Sequence, residues 1–172
     1  MALTVLATFV DPAAGLRVEA TAGSGFAIVM DADDADLPAT AATPREALLA
    51  ALVGCTAMDV ASILRKKRQQ ASSYRVSAVG ETRQDTHPHV FTNIVIEHQV
   101  EGRVEAEALR RSIELSATRY CPVNAMLAAG PVRIEHRYVV RSDAGETAGE
   151  AIVVGPNGAG LADSGEHARS SS

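Results

Sequence analysis

The spacing of hydrophobic and polar positions changes along this chain, and each change marks an element. Residues 3–10 (LTVLATFV) have strand composition. Residues 11–15 (DPAAG) form a turn, and residues 16–21 set Leu16, Val18 and Ala20 at period two, as in a half-buried strand. Ala22-Gly23-Ser24-Gly25 turns the chain again before a third strand at 26–30, so the N-terminal stretch reads as an antiparallel meander. An acidic loop follows at 31–43. From Thr43 the period lengthens: Leu48, Leu49, Leu52, Val53, Thr56, Val60, Ile63 and Leu64 recur at three- and four-residue steps, predicting a helix that runs to about residue 70. Thr43-Pro44-Arg45-Glu46 opens it, with Pro44 in the first helical position and a Thr-x-x-Glu capping box. The helix is apolar on most sides through Ile63, which predicts that its first half is buried and central.

The second half alternates again. Tyr74, Val76, Ala78 and Gly80 mark a strand at 74–83, and residues 90–101 are apolar on both faces, as in an inner strand. A helix over 104–120 carries Leu109, Ile113, Ser116 and Tyr120 on one face, a short helix covers 122–129, and Gly130-Pro131 ends it. Val132, Ile134, His136, Tyr138 and Val140 alternate as a last strand. From residue 142 Gly, Ala and Ser dominate and Ala151-Ile152-Val153-Val154 offers at most weak pairing, so the expected division is a domain over 1–141 and a largely disordered tail over 142–172. The sum is α+β.

Composition narrows the function classes. At 172 residues, 47% hydrophobic and 3% aromatic, the chain suits one domain with an aliphatic core. A net charge of −5 argues against a nucleic-acid footprint, and the basic run Arg65-Lys66-Lys67-Arg68 reads as favourable charge at a helix C-terminus. The apolar run over 47–58 is too short to span a bilayer, and no leader pattern opens the chain, so the expectation is a cytoplasmic protein with no membrane partner. No nucleotide-binding glycine motif is present, and no cofactor is expected. Asp31, Asp33 and Asp36 do not follow the EF-hand pattern. His87-Pro88-His89 lies in a turn without further ligands at typical spacing, so no metal site is expected.

The candidate chemistry rests on two cysteines. Cys121 precedes Pro122, which disfavours the helical region for it and makes it the N-cap of the helix at 122–129. Unpaired backbone N–H groups there favour a thiolate, predicting a lowered pKa for Cys121. Cys55 sits mid-helix beside Gly54, where another backbone or a substrate can approach closely. Apolar neighbours and an ionised Asp59 one turn away would both raise its pKa. These residues alone leave open a pair of ordinary buried cysteines and a redox pair divided between two helices.

Several separated segments carry a resemblance. Residues 44–60 (PREALLAALVGCTAMDV), continued by 62–69 (SILRKKRQ), resemble the central-helix motif of the OsmC/Ohr family, and Val90-Phe91-Thr92, Glu114-Leu115-Ser116 and Tyr120-Cys121-Pro122-Val123 resemble its later segments. The similarity spans about residues 3–140 and looks closest to the branch with Gly-Cys-Thr-Ala-x-Asp-Val. It implies an OsmC-like two-layer sandwich, with antiparallel strands packed on a long central helix in an intertwined homodimer. It further implies a thiol-dependent peroxidase reducing organic hydroperoxides in oxidative stress defence. In that cycle Cys55 is the peroxidatic and Cys121 the resolving cysteine, and a dithiol reductant of lipoyl or thioredoxin type reopens their disulfide.

Family members support the thiolate with an Arg and a Glu. Glu46 is the candidate catalytic carboxylate, yet it stands one position later than the family's Glu, which aligns with Arg45. On an ideal wheel Glu46 lies roughly half a turn around from Cys55. Arg45, Arg17 and Asp59 complete the candidate support. The alternative reading is a non-catalytic dimer that binds a small apolar or thiol-bearing ligand at its interface.

Overall fold

A computed structural model of the chain describes residues 2–34, 37–156 and 158. The fold is mixed α+β and divides into two compact units, residues 1–51 and 52–172.

In the first unit, β1 (Val5–Phe9), β2 (Val18–Ala22) and β3 (Ala27–Met30) form the expected antiparallel meander, with Val5 opposite Ala22 and Val18 opposite Met30. Gly25, at φ 89°, makes the tight turn from β2 to β3. The acidic loop is organised by hydrogen bonds. Asp31 accepts from the Ala32 and Thr40 backbone N–H groups, each at 2.9 Å, and from the Thr40 hydroxyl at 2.7 Å. The third aspartate considered for calcium, Asp36, lies outside the described residues.

Helix α1 (Pro44–Lys66) begins in the first unit and continues into the second. Its capping box is formed: Thr43 donates to Glu46 Oε2 from its backbone N–H (2.7 Å) and its hydroxyl (2.8 Å), and the Glu46 N–H donates to Thr43 Oγ1 at 3.3 Å. The helix ends at Lys66, earlier than the sequence pattern predicts. Arg68 turns left-handed at φ 57°, and the Gln69 N–H reaches back to the Leu64 carbonyl, as in a Schellman ending. That reversal sends the chain into β4 at Gln70.

Burial of α1 also differs from expectation. Leu52, Thr56, Val60 and Leu64 form one buried stripe at four-residue steps. Leu48 and Met58 remain 40% and 70% exposed. The apolar stretch is longer than the run over 47–58 suggests: by length and composition alone the whole helix could cross a membrane, a test that the core helix of a soluble protein also passes.

The second unit holds a four-stranded sheet in the order β4 (Gln70–Thr82), β5 (Phe91–Arg103), β6 (Arg133–Ser142), β7 (Gly145–Val154). β4 and β5 pair antiparallel, as do β6 and β7, but β5 and β6 are parallel. The sheet is therefore mixed. The parallel pair requires a crossover, and α2 (Ala106–Leu115), a π-helical turn (Ser116–Tyr120) and α3 (Pro122–Ala128) supply it. Val60 and Leu64 of α1 pack with Val100, Leu109, Ile113 and Val140 in one aliphatic core.

β7 corrects the expected domain boundary. The fold continues past residue 142 through a hairpin turn at Gly145 (φ 121°) to Val154, which is fully buried. Residues 145–150 carry no large hydrophobic side chain and so resemble a tail, but β6 provides their backbone partners, and Ala151 and Ile152 pack on the core. The rest of the expected tail, save residues 155, 156 and 158, lies outside the described residues.

Candidate functional site

Cys121 owes its place to a conflict at the end of α2. Pro122 keeps Cys121 out of the helical region, and Cys121 is extended at φ −76°, ψ 104°. Its N–H bonds the Ser116 carbonyl five residues back, so the last turn before it is π-helical. Such single π turns recur at functional sites. As expected, Cys121 then caps α3: the Asn124 N–H donates to Cys121 Sγ at 3.3 Å.

This turn brings Cys121 to the face of α1 that carries Cys55 and Asp59, one turn apart. Cys55 Sγ, an Asp59 carboxylate oxygen and Cys121 Sγ lie within 4.8 Å of one another. Both cysteines are free thiols, Cys121 buried and Cys55 half-buried. A disulfide has sulfur atoms about 2.05 Å apart, so closing one here takes a movement of under about 3 Å. The bland alternative, in which the two sulfurs lie too far apart to bridge, is not what the fold builds.

The expected lowering of the Cys121 pKa is overturned. Burial pushes this thiol up to about 12, the hydrogen bond with Cys55 acts in the same direction, and the Asn124 N–H opposes both only in part. A three-residue capping interaction on a short helix does not offset removal of the thiol from water.

Asp59 is held from below. The Ser116 hydroxyl donates to Asp59 Oδ2 at 3.0 Å and lies 3.1 Å from Thr56 Oγ1, with Ser116 and Thr56 both fully buried. Among the described residues Asp59 takes part in no salt bridge. The other candidate support is engaged elsewhere. Arg17, in the first unit, donates to the Thr40 hydroxyl at 2.5 Å, Glu46 is the capping carboxylate of α1, and Arg45 is exposed. Among the described residues, nothing beyond the helix itself would lie within 4 Å of a Cβ added to Gly54, so none of them makes the close approach that this glycine permits.

A buried polar row leads away from Cys121 beneath the helices. Asn124 Nδ2 donates to the Ala117 carbonyl at 2.7 Å, which leaves Oδ1 to accept from His136 Nε2 at 3.1 Å. His136 Nδ1 faces His98 Nε2 at 3.2 Å, and His98 Nδ1 faces the Tyr74 hydroxyl at 2.7 Å. Asn124, His136 and His98 are fully buried. Burial pushes His136 down to about 4, and burial, with the neighbouring His136, pushes His98 well below the usual histidine value, so both rings are neutral. Sequence reasoning places His98 and His136 on alternating strands without giving them a role. The available signal was a polar side chain at an inward position on each of two strands.

The comparisons agree with this architecture. The family model for OsmC-like protein matches residues 35–137. Protein YhfA of Escherichia coli K12 is 39% identical over 127 residues, covering 73% of this chain and 91% of the relative. A hypothetical protein from Aquifex aeolicus has 25% identity and a TM-score of 0.71, covering 83% of this chain and 98% of that structure. An organic hydroperoxide resistance protein OsmC from Legionella pneumophila shares the fold at 12% identity, with a TM-score of 0.59 over 81% of this chain and 96% of that structure. The capped central helix, the second cysteine at the head of α3 and the matching residues together lead to one assignment: the chain belongs to the OsmC-like protein family.

Proposed function

We propose that this protein is a thiol-dependent peroxidase that reduces small organic hydroperoxides through a Cys55–Cys121 disulfide cycle. The observation that carries the reading is the meeting of the two thiols, from separate helices, within 4.8 Å. Ionised Cys55 attacks the hydroperoxide O–O bond, taking one oxygen as a sulfenic acid while the alkoxide leaves and takes up a proton as the alcohol. Cys121 then attacks the Cys55 sulfur, forming the disulfide and releasing water. A dithiol reductant of lipoyl or thioredoxin type restores both thiols and is itself oxidised to a disulfide. The apolar residues one turn from Cys55 along α1, Ala51, Leu52 and Met58, favour an organic hydroperoxide over hydrogen peroxide. The name of the Legionella relative, an organic hydroperoxide resistance protein, points the same way.

The reading includes a homodimer in the cytoplasm. Leu3, Val5 and Leu6 are 88%, 67% and 70% exposed, and Met58 on α1 is 70% exposed, giving apolar surface that a second copy would cover. The Asp59 carboxylate beside the thiols, in no salt bridge among the described residues, favours the competing reading of a non-catalytic dimer that binds a small apolar or thiol-bearing ligand. One experiment separates them. The reduced protein is mixed with tert-butyl hydroperoxide and a dithiol, alcohol formation is followed, and the oxidised chain is mapped by mass spectrometry. Turnover lost in Cys55→Ser, with a Cys55–Cys121 disulfide in the wild type, supports the peroxidase. Two unmodified thiols after treatment overturn it in favour of the binding protein.

A further inference from the structure

The peroxide cycle uses two of the three reactive groups at this point in the fold and leaves Asp59 without a task. Two thiols and a carboxylate that converge, the carboxylate in no salt bridge among the described residues, are a ligand set. We propose that in the reduced protein Cys55, Asp59 and Cys121 together bind one zinc ion and leave its fourth position open. This inference stands on the geometry of the cluster and does not rest on the peroxidase reading.

The distances suit the ion. Zinc lies about 2.3 Å from a thiolate sulfur and about 2.0–2.2 Å from a carboxylate oxygen. A tetrahedral arrangement then sets the ligand atoms about 3.6–3.8 Å apart. The three atoms here are already within 4.8 Å of one another, so side-chain rotation of about an ångström completes the site. Two ligands come from successive turns of one face of α1. The third comes from the π turn, which Pro122 and the Ser116 carbonyl hold in place.

The surroundings also suit it. Bound ligands are usually held by hydrogen bonds from an outer layer. Ser116 donates to Asp59 Oδ2, the Asn124 N–H donates to Cys121 Sγ, and Asn124 is itself fixed by Ala117 and His136. Thiolate ligands select zinc over the hard cations magnesium and calcium. Both cysteines bind the ion as thiolates, and the ion neutralises charge for which no salt-bridge partner stands among the described residues. Oxidation of the two thiolates to a disulfide, with their two electrons passing to an oxidant such as diamide and two protons taken up by it, removes both sulfur ligands and releases the ion.

The test uses the full chain, reduced and stripped with chelator under anaerobic conditions. It is titrated with zinc against a chromophoric chelator and separately with cobalt(II). The expected result is one ion per chain, proton release on binding and a thiolate-to-cobalt charge-transfer band that disappears in Cys55→Ser and Cys121→Ser. Ser116→Ala should weaken zinc ~10–100-fold, the range typical of outer-layer residues, and Asp59→Asn by more than that. In the wild-type protein, zinc should protect both cysteines from alkylation, and diamide should release one ion per disulfide formed. The alkylation and diamide readouts need no variant, so a substitution that disturbs folding does not remove the test. Equal zinc affinity in wild type and Asp59→Asn, cobalt bound without a thiolate band, or no protection from alkylation overturns the proposal. No hydroperoxide is present, so such a failure leaves the peroxidase reading to its own assay.

Discussion

His136 Nε2 lies 3.1 Å from Asn124 Oδ1, and this contact fixes proton positions over several residues. Because Asn124 Nδ2 donates to the Ala117 carbonyl, Oδ1 is an acceptor and His136 carries its proton on Nε2. His136 Nδ1 then accepts from His98 Nε2–H, and His98 Nδ1 accepts from the Tyr74 hydroxyl. The donors all point one way, from β4 through β5 and β6 to the residue whose N–H touches Cys121.

Removing the amide should therefore cost more than one hydrogen bond. Asn124→Ala leaves the His136 N–H and the Ala117 carbonyl buried without partners, and each orphan costs about 1–3 kcal/mol. Urea denaturation should show a loss of several kcal/mol. A loss below about 1 kcal/mol would show that the row contributes little to holding α3 in place.

Stability should fall on mild acidification. His136 is held near 4 in the folded protein against an ordinary value of 6.5, so between these values the unfolded chain binds more protons. The stability from keeping this ring neutral is complete above about pH 6.5 and is lost as pH falls toward 4, by roughly 3 kcal/mol over the window. His98, displaced the same way, adds to the loss. Midpoints measured from pH 7.5 to 4.5 check this, and His136→Gln should flatten the curve.

Glu46 offers a direct contrast between capping and catalysis. Its carboxylate accepts both Thr43 hydrogen bonds at the start of α1. Thr43→Ala and Glu46→Ala should each destabilise the protein by about 1 kcal/mol. If capping is the whole role of Glu46, peroxide turnover in Glu46→Gln stays within twofold of wild type. A drop of a hundredfold or more would assign it a part in the chemistry.

The uncovered side of α1 predicts self-association. Met58 is 70% exposed in a helix that is apolar nearly all round. If a second copy covers it, Met58→Arg should weaken dimerisation by about 2 kcal/mol or more, about the size of a hot-spot loss. Sedimentation at a series of concentrations measures this, and the far-UV spectrum should stay unchanged because the side chain is largely exposed.

Most elements were legible in the linear pattern because local rules set them. Period two marked β2, β4 and β6, strand composition marked β1, apolar residues on both faces marked β5, the Thr-x-x-Glu box marked the start of α1, and Pro122 marked Cys121 as a cap. Only the end of β7, residues 151–154, was legible as a weakly pairing stretch; residues 145–150 have no apolar alternation and become a strand only because β6 offers backbone partners. The parallel pairing of β5 and β6 is likewise a matter of how the crossover packs, which alternation does not report.

The same division holds at the site. Local pattern is enough to put Cys55 in a long apolar helix, Cys121 at the head of a short one and Asp59 one turn from Cys55. Their meeting belongs to the folded chain, where a π turn closed by Ser116 carries Cys121 back to α1. Folding also reversed the local expectation for Cys121. A helix start favours a thiolate through a few N–H groups, whereas burial removes the whole solvation of the charge, and the larger effect prevails.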